Sequence, residues 1–313
     1  MIKVLVTSVG SNTAIGVIKA LRGQADISIT GTDTFPEHLS AGSSLVDHFY
    51  QVPLALSDDY ESRLISIVKD RRIQCVIPIH DVEIVKVAEL AGKYPKLCFW
   101  AVNSPSVVAM CNNKQAINSL LASHKISVPK MYNSVEEIVF PAIYKPNEGV
   151  SSRGIRVISS AHDLISAHEL ERGFLQRLIK GDEYTVDCYS SYGTGDFRCC
   201  VRQRIETKEG ISTKGATTSF PQLEEIASDI HHILAYKGAS NIQFIVENNI
   251  PYFIEINPRF SGGGILSYYA GLNSPLFTAL ESIHSPLLVE LINQPIRKGI
   301  YMTRYWNENF HEI

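Results

Sequence analysis

The sequence of 313 residues lacks the features that mark several specialised classes of protein. It has no apolar run long enough to span a membrane and no low-complexity segment. It has no basic run either, and its net charge is −3. Nucleic acid and membranes are therefore not expected as partners, since both need concentrated positive charge or long apolar stretches. What remains is an ordinary globular composition with 45% hydrophobic residues.

Cysteine is also scarce, and the six cysteines show no C-x-x-C spacing. Several of them lie in apolar, strand-like runs, which predicts buried free thiols in a reducing compartment. The segment Met1–Thr7 is apolar but short, and Gly10 follows it closely. It predicts a first strand rather than a signal peptide. The expected location is therefore the cytoplasm.

The first hundred residues alternate between strand and helix patterns. The predicted strands are Val4–Val6, Ile27–Gly31, Cys75–Ile77 and Cys98–Val102, and the predicted helices are Ala14–Leu21 and Tyr60–Lys69. This alternation predicts an α/β domain with a doubly wound parallel sheet. Ligands of such sheets bind at the carboxyl ends of the strands, which here carry Ser8–Thr13, Asp33 and His80–Glu83.

The pattern changes after Asn103-Ser104-Pro105, and α/β gives way to α+β. A helix is predicted at Asn113–His124 and a longer one at Pro221–Lys237. The predicted strands of this part are Ala142–Lys145, Ile155–Ile158, Phe174–Ile179, Tyr184–Ser190, Phe197–Arg204, Asn241–Val246 and Tyr252–Ile256. We expect one domain over residues 1–105 and a second over 106–313, with a small lid at about 125–190.

The segment Tyr252–Arg259 places polar residues in an apolar strand. Glu255 and Asn257 are two residues apart, so both side chains leave the strand on one face. Gln243 can reach that face from the neighbouring strand. Three oxygen ligands of this kind suit one or two Mg²⁺ ions on a phosphate chain. From Glu255 and Asn257 alone, a structural ion pair between Glu255 and Arg259 is an equally good interpretation.

Lys145 ends a predicted strand and precedes a loop that contains Gly149, Ser151, Ser152 and Gly154. Backbone N–H groups of such a loop can hold a polyphosphate, with Lys145 as a point charge on it. The alternative is a hairpin with an exposed lysine. The loop is not a Walker P-loop, because no G-x-x-x-x-G-K-[ST] pattern leads into a helix.

The strands around residues 174–187 form a candidate hinge between two lobes. Backbone groups near Leu178 can pair with an adenine edge, and Gln176 can accept from its exocyclic amine. Glu183 can accept from ribose hydroxyls. Two ordinary strands with solvated charges are the alternative interpretation.

In this order, the motifs resemble the ATP-grasp superfamily. They are Lys145-Pro146 with Ser151-Ser152-Arg153-Gly154, then Gln176 with Gly181-x-Glu183-Tyr184-Thr185-Val186-Asp187, then Gln243 with Glu255-Ile256-Asn257-Pro258-Arg259. The chain looks most like the carbamoyl-phosphate-synthase-like branch of carboxylate–amine ligases. The resemblance covers nearly the whole chain and implies a Rossmann-like pre-ATP-grasp domain followed by an ATP-grasp domain with a lid.

The resemblance also implies roles for individual residues. Lys114 and Lys145 would contact ATP phosphates, Gln176 and Leu178 would frame adenine, and Glu183 would hold ribose. Two Mg²⁺ (or Mn²⁺) ions would bind Gln243, Glu255 and Asn257, and Arg259 would stabilise the transferred phosphoryl group. The chain departs from the family at Arg177, where many relatives have an acidic residue, and in the few glycines of its 148–154 loop. It carries one ATP-grasp unit, which argues against carbamoyl phosphate synthase itself.

The implied function is an ATP-dependent ligase that joins a small-molecule carboxylate to an amine through an acyl phosphate. A homodimer is a possible assembly. Candidates for the second substrate are His80, Asp81 and Glu83, although His80 and Asp81 also suit a helix N-terminus. Gly262 and Gly263 would open a turn on the acceptor side. Arg204, Lys208 and Lys214 are predicted in a loop-rich stretch that could hold an acidic substrate, or be merely solvated.

Two other classes of function compete with the ligase. An NAD(P)-linked oxidoreductase would use Gly10–Gly16 and Asp33, but the spacing is not G-x-G-x-x-G, and Lys145 and Glu255 stay unexplained. A catalytically silent ATP- and Mg²⁺-binding regulator or scaffold is the second alternative. The intact set of phosphate and metal candidates disfavours it.

Overall fold

The computed structural model describes residues 1–23, 26–147, 154–164, 172–208, 210–305 and 307–312. These residues form three β-sheets of five, four and six strands. The first sheet belongs to the amino-terminal third of the chain, and the other two follow it. No helix among the described residues has the length and apolarity that a membrane crossing requires.

The first sheet is parallel, with the strand order β3-β2-β1-β4-β5. Its strands are β1 Ile2–Val6, β2 Ile27–Asp33, β3 His48–Gln51, β4 Cys75–Ile77 and β5 Phe99–Trp100. Helices α1 (Asn12–Arg22), α2 (Asp59–Asp70) and α3 (Asp81–Lys93) connect them. Apolar cores cover both faces, one beneath α1 and one beneath α2 and α3. The predicted doubly wound α/β region is confirmed, although β3 has no counterpart in the prediction.

Local sequence explains where these helices begin. The Ser11 side chain caps α1 by accepting from the Ala14 amide at 3.2 Å. His80 caps α3, because its Nδ1 accepts from the Val82 amide at 3.4 Å, and Asp81 and Glu83 occupy the first turn. Negative charge there is favoured by the helix dipole.

A helical pair, α4 (Pro105–Asn112) and α5 (Lys114–Ser123), leads into the second region. Asn113 ends α4 and caps α5 by accepting from the Ala116 amide at 2.9 Å. The prediction of a helix near Asn113–His124 is therefore right for α5, while α4 was missed. The Ser104-Pro105 pair is an ordinary helix start that could have revealed it.

The second sheet is small and antiparallel, with the order β6-β9-β7-β8. Its strands are β6 Met131–Tyr132, β7 Ala142–Pro146, β8 Arg156–Ile158 and β9 Gly173–Arg177. The division of the chain at residues 105 and 106, with a lid at about 125–190, stays a prediction. The small sheet itself ends at Arg177, because the next strand joins the larger sheet.

The third sheet has six antiparallel strands in the order β14-β13-β10-β11-β12-β15. Its strands are β10 Asp182–Ser190, β11 Phe197–Lys208, β12 Ile211–Thr217, β13 Gly238–Glu247, β14 Ile250–Asn257 and β15 Tyr301–Thr303. The predicted hairpin of β13 and β14 is confirmed. The loop-rich stretch predicted around Arg204, Lys208 and Lys214 is wrong, because β11 and β12 pair through it. The alternation of side-chain types along this stretch, which is typical of strands, was the signal in the sequence that could have predicted β11 and β12 there.

Helices cover both faces of the large sheet. On one face, α6 (Pro221–Ile233) packs Leu223, Ala227 and Ile230 onto strands β10, β11, β13 and β14. The predicted helix was too long, since Ala235 has a positive φ of 46° that ends it. The other face meets three short helices near its end, α7 (Ile265–Ala270), α8 (Ser274–Glu281) and α9 (Leu287–Ile292). The uncovered part of that second face is polar and forms the candidate site.

Candidate active site

The polar face of the large sheet is built by strand register. Directly paired residues of an antiparallel sheet point to the same side. Gln243 lies opposite both Glu255 and Thr185, and Asn241 lies opposite both Asn257 and Asp187. Arg202 on β11 pairs with Thr185 and so belongs to the same side. Four neighbouring strands thus place amide, carboxylate and guanidinium groups on one surface.

The three metal-ligand candidates come together on this surface. Asn257 Nδ2 lies 3.3 Å from Glu255 Oε1 and 3.1 Å from Asn241 Oδ1. Gln243 is the direct cross-strand neighbour of Glu255. Arg259 forms its ion pair with Asp81 rather than with Glu255. The alternative of a structural Glu255–Arg259 pair is therefore wrong for this structure.

The donor set fits Mg²⁺ delivered with a nucleotide. No cluster of three or more His, Cys, Asp or Glu side chains suited to a metal occurs in the described part of the chain. Glu255 contributes one carboxylate, and Gln243 and Asn257 add neutral amide oxygens. Mg²⁺ is usually held in this way, by one or two carboxylates together with substrate phosphates. The site therefore suits a metal ion that arrives on ATP more than one bound by protein alone.

Lys145 brings a nearly buried cation towards Glu255. It is the penultimate residue of β7, and 6% of its surface is exposed. Burial lowers the pKa of the Lys145 ammonium to about 8, with Glu255 opposing that shift and Lys114 adding to it. Lys114 begins α5, and its amide donates to the Asn147 carbonyl at 3.3 Å. Two lysines and one carboxylate thus lie close together, as phosphate binding requires. Ser151 and Ser152, predicted in the phosphate loop, lie outside the described residues.

Gln176 is positioned to recognise a hydrogen-bond donor. It is fully buried on β9, and its Nε2 donates to Asn118 Oδ1 at 3.0 Å and to the Pro129 carbonyl at 3.4 Å. Its Oε1 is buried but accepts from no described residue. An adenine exocyclic amine would supply the missing donor. This orphaned oxygen is the observation that fits the predicted nucleotide site.

The remaining nucleotide candidates lie just beyond β9. Leu178 is half-buried in the segment that joins β9 to β10. Glu183 has a half-exposed side chain whose Oε2 lies 3.5 Å from Arg204 Nε. Arg177, the departure from the family pattern, pairs with Glu247 and donates to the Tyr252 hydroxyl at 3.4 Å. Arg177 is therefore held by the large sheet.

Asp81 and Arg259 connect the first sheet's region to the polar face. Arg259 Nε donates to Asp81 Oδ1 at 2.6 Å, and Nη2 approaches Asp81 Oδ2 and Asn257 Oδ1, each at 3.4 Å. The two residues are 178 positions apart in sequence. Arg259 thus stands beside the metal-ligand candidates with its orientation fixed from α3.

The other two candidates from the first region have structural partners. His80 is exposed and caps α3. Glu83 is buried, and it accepts from Thr7 and Ser8 hydroxyls at 2.6 Å and from the Tyr60 hydroxyl at 3.2 Å. Burial, followed by the Glu83 charge, raises the pKa of Tyr60. Glu83 therefore fixes the loop after β1, and neither residue contacts the polar face through a described hydrogen bond.

Of the candidates for the acceptor side, Gly262 and Gly263 lie at the polar face, and Lys214 has a structural partner elsewhere. A Cβ atom on Gly263 would lie 2.5 Å from Arg202 Nη1, so the turn can approach Arg202 only without a side chain. A Cβ on Gly262 would lie 3.4 Å from Thr13 Oγ1 of α1. Lys214 is exposed and forms an ion pair of 2.8 Å with Glu206. The glycines therefore border the site, while Lys214 is already paired.

Sequence reasoning missed a buried ion pair under the polar face. Arg202 is 1% exposed and donates to both carboxylate oxygens of Asp187, at 2.7 and 3.0 Å. Asp187 also accepts from the Ser267 hydroxyl at 2.5 Å, and Arg202 donates to Ser261 Oγ at 3.0 Å. The signal available in the sequence was one charged residue inside each of two apolar strands, Asp187 in β10 and Arg202 in β11. Removal of one partner of such a buried ion pair strongly destabilises a protein, whereas the intact pair contributes little net stability.

Comparison with known families agrees with this geometry. A model of the ATP-grasp domain matches residues 111–263, and a model of PylC-like N-terminal domains matches residues 4–98. Each covers one of the two regions described above. Residues 111–263 therefore form an ATP-grasp domain, as the motifs indicated.

Curated relatives match over part of the chain. A D-alanine–D-alanine ligase of Fusobacterium nucleatum is 26% identical over 162 residues, or 48% of this chain and 56% of the relative. The carbamoyl phosphate synthase large chain of Clostridium acetobutylicum is 26% identical over 155 residues, or 43% of this chain and 14% of the relative. The chain thus spans about half, or much less, of the length of these relatives.

Solved structures share the fold across nearly the whole chain. The L-amino acid ligase of Bacillus licheniformis superimposes with a TM-score of 0.71 and 14% identity, covering 94% of this chain and 78% of the other. The N5-carboxyaminoimidazole ribonucleotide synthetase of Thermotoga maritima gives 0.67 and 17%, covering 91% and 77%. At such identities the likeness shows the fold alone. The predicted fold, a Rossmann-like region followed by an ATP-grasp region, is confirmed.

Proposed function

We propose that this protein is an ADP-forming ligase that activates a small-molecule carboxylate with ATP and joins it to an amine. The observation that carries the proposal is the polar face, where Glu255, Asn257 and Gln243 lie beside Arg259 and within the field of Lys145. This is an arrangement for a triphosphate and its metal ion. The names of relatives that ligate amino acids agree with it.

The chemistry divides into two steps. A carboxylate oxygen attacks the γ-phosphorus, the bond from the γ-phosphorus to the β–γ bridging oxygen breaks, and ADP leaves. The amine nitrogen then attacks the acyl carbon of the acyl phosphate, the carbon–oxygen bond to phosphate breaks, and the amine proton passes to solvent. No side-chain nucleophile is needed, so catalysis would rest on positioning and charge.

The placement of these residues supports the role proposed for each. Lys145 and Lys114 would hold the phosphates, and Gln176 Oε1 would accept from adenine, with Leu178 against the ring and Glu183 at the ribose. Gln243, Glu255 and Asn257 would hold Mg²⁺, which neutralises phosphate charge when bound. Arg259, fixed by Asp81 at 2.6 Å, would meet the phosphoryl group in transfer. The number of metal ions and a homodimer remain proposals, as does the cytoplasm, which suits six free cysteines.

Replacement of Glu255 tests the proposal. Glu255→Gln removes one negative charge and keeps the shape, so we expect ADP formation to fall at least about 100-fold, the scale seen when one electrostatic group is lost from an active site. Glu206→Gln is the matched control, since Glu206 lies on the same sheet and contacts the exposed Lys214 and the half-buried Thr213 rather than the polar face. ADP release would be measured with paired carboxylate and amine libraries, with hydroxylamine present to trap the acyl phosphate as a hydroxamate.

Two outcomes would contradict the proposal. Near-normal activity of Glu255→Gln would remove the metal assignment. Tight MgATP binding with no ADP release on any substrate pair would instead favour the silent regulator.

A further inference from the structure

We propose that Arg204 and Arg304 form a binding site for a substrate carboxylate that takes no part in phosphoryl transfer. We call this pair the arginine subsite. The inference rests on the proposed function, because it assumes that the substrate lies on the polar face. It adds a chemical class, namely a substrate with a carboxylate besides its reacting group. That carboxylate can belong to an amino acid that supplies the amine or to a dicarboxylic acid that is activated.

Strand register places the two arginines on one side of the sheet. Arg204 lies opposite Gly215 of β12, and Gly215 lies opposite Met302 of β15. Arg304 follows Met302 by two positions, and its amide donates to the Thr213 carbonyl at 3.0 Å. Both side chains therefore project from the face of the sheet that carries Arg202 and Glu255, and Gly215 lies between their strands.

Each arginine is anchored at one end and keeps a donor without an acceptor. Arg204 Nη2 donates to the Gly210 carbonyl at 2.9 Å, and Arg304 Nη2 donates to the Gly262 carbonyl. Both Nε atoms are buried and make no hydrogen bond to any residue that the structure describes. Arg202 differs, because Asp187 accepts from both its Nε and its Nη2. Arg304 Nε thus has no acceptor among the described residues, and Arg204 Nε has only the 3.5 Å ion pair with Glu183, so both donors can still serve an anionic ligand.

Arg202 adds positive charge beside Arg304, whereas at Arg204 the carboxylates of Glu183 and Glu255 oppose the charge of Arg202. The Arg204 side chain is 7% exposed, and its Nε lies 3.5 Å from Oε2 of the half-exposed Glu183, an ion pair that is not a hydrogen bond. Arg304 has no ion pair among the described residues. Burial, followed by the positive charge of Arg202, lowers the pKa of Arg304. A planar carboxylate offers two acceptors to guanidinium groups and would compensate the buried charge.

Neighbouring segments bound the subsite. Gly210 precedes β12, Ile211 is the first residue of β12, and Gly262 belongs to the turn after β14. A Cβ on Gly262 would lie 3.6 Å from Ile211 and 3.4 Å from Thr13 Oγ1. The subsite thus lies where the large sheet meets α1. A ligand there would contact both regions of the protein.

The first measurement detects anion binding without turnover. Malonate would be titrated against the full chain with MgADP present, so that the phosphate-binding cations are occupied, and the unfolding midpoint recorded. We expect malonate to raise the midpoint of the wild type and of Arg198→Gln, and to leave Arg204→Gln and Arg304→Gln unchanged. Arg198 is the matched control, because it lies on the same strand and also donates to a carbonyl. Without malonate, the two subsite variants should be at least as stable as the wild type.

The second measurement separates the two sources of the carboxylate. ADP release would be compared for alanine, alaninamide and ethylamine as acceptors, and for succinate and its monoamide as donors. In the wild type, we expect removal of the substrate carboxylate to raise the KM of that substrate at least 10-fold. This should occur among the acceptors or among the donors, but not in both series. In Arg304→Gln that difference should vanish, while Arg304→Lys should retain part of it.

The outcomes distinguish the two proposals. Malonate binding that depends on both arginines, without ADP release on any substrate pair, would support the subsite and contradict the ligase. ADP release that is indifferent to substrate carboxylates and to Arg304→Gln would support the ligase and overturn the subsite. Loss of the malonate effect in Arg198→Gln to the same extent as in Arg204→Gln and Arg304→Gln would also overturn it.

Discussion

Lys145 carries its ammonium group into a nearly closed environment at the end of β7. Its pKa of about 8 lies below the ordinary value of 10.5 because burial disfavours the charged form. The protonated group therefore destabilises the apo protein below about pH 8. That penalty declines as the pH rises from about 8 towards 10.5, where the unfolded chain also loses its proton.

Lys145→Met should for this reason stabilise the protein and abolish ATP binding. We expect a gain of about 1–3 kcal/mol in the free energy of unfolding at pH 7, and a smaller gain at pH 9. Urea unfolding at several pH values would measure it, with Lys96→Met, at an exposed position, as the control. A variant that is less stable than the wild type at every pH would show that Lys145 is compensated in the apo protein.

At the scale of elements, the connection between β9 and β10 depends on one glycine. A Cβ on Gly181 would lie 1.9 Å from the Val246 carbonyl oxygen, so the strand can pass β13 only without a side chain. Backbone cannot yield as a flexible side chain can. This close approach holds the segment after Leu178, where adenine is proposed to bind.

Two glycine substitutions should therefore act in opposite directions. Gly181→Ala should destabilise the protein by about 2 kcal/mol or more and weaken MgATP binding. Gly92→Ala should stabilise it by about 0.5–1 kcal/mol, because Gly92 lies in helix α3 with no atom within 4 Å of its added methyl. Urea unfolding and nucleotide titration would test both. Equal effects of the two substitutions would contradict the argument from Val246.

At the scale of the whole molecule, the two regions meet through a few polar links. Asp81 of α3 holds Arg259, with Nε and Oδ1 2.6 Å apart. Separately, Asn103 donates to the Lys237 carbonyl at 2.7 Å and accepts from the Lys237 amide at 2.9 Å. An apolar core also combines β1 and α1 with Phe260, Leu276 and Leu280. Of these links between described residues, the one through Asp81 reaches the proposed reaction centre.

Asp81→Asn should slow the reaction without loosening nucleotide binding. Arg259 would lose its ionic partner and its fixed orientation, so we expect kcat to fall at least about 10-fold with little change in the Kd for MgATP. Asn103→Ala breaks the other link and should leave kcat nearly unchanged. If both variants lowered kcat equally, the effect would belong to the interface in general. Asp81 would then not be a positioning residue for Arg259.

The sequence by itself determined many of the elements, though not β3, α4 or β12, and it determined which residues of a predicted strand share a face. The period of apolar residues placed β1, α1, α2 and β4, and the two-residue spacing of Glu255 and Asn257 put them on one side. Such patterns are local, because a side chain's direction follows from its own backbone. The order of motifs also sufficed to indicate the family.

Only the tertiary structure decided which charged groups are already satisfied. The partners of Glu83, Arg202, Lys214 and Arg259 come from other strands and helices, and Asp81 lies 178 positions from Arg259. No local pattern encodes such contacts, since they depend on how the sheets and helices pack together. For the same reason the sequence placed Arg204 at the end of a strand that led into a loop-rich stretch, and it did not single out Arg304. The unsatisfied Nε atoms appear only when β11, β12 and β15 are side by side.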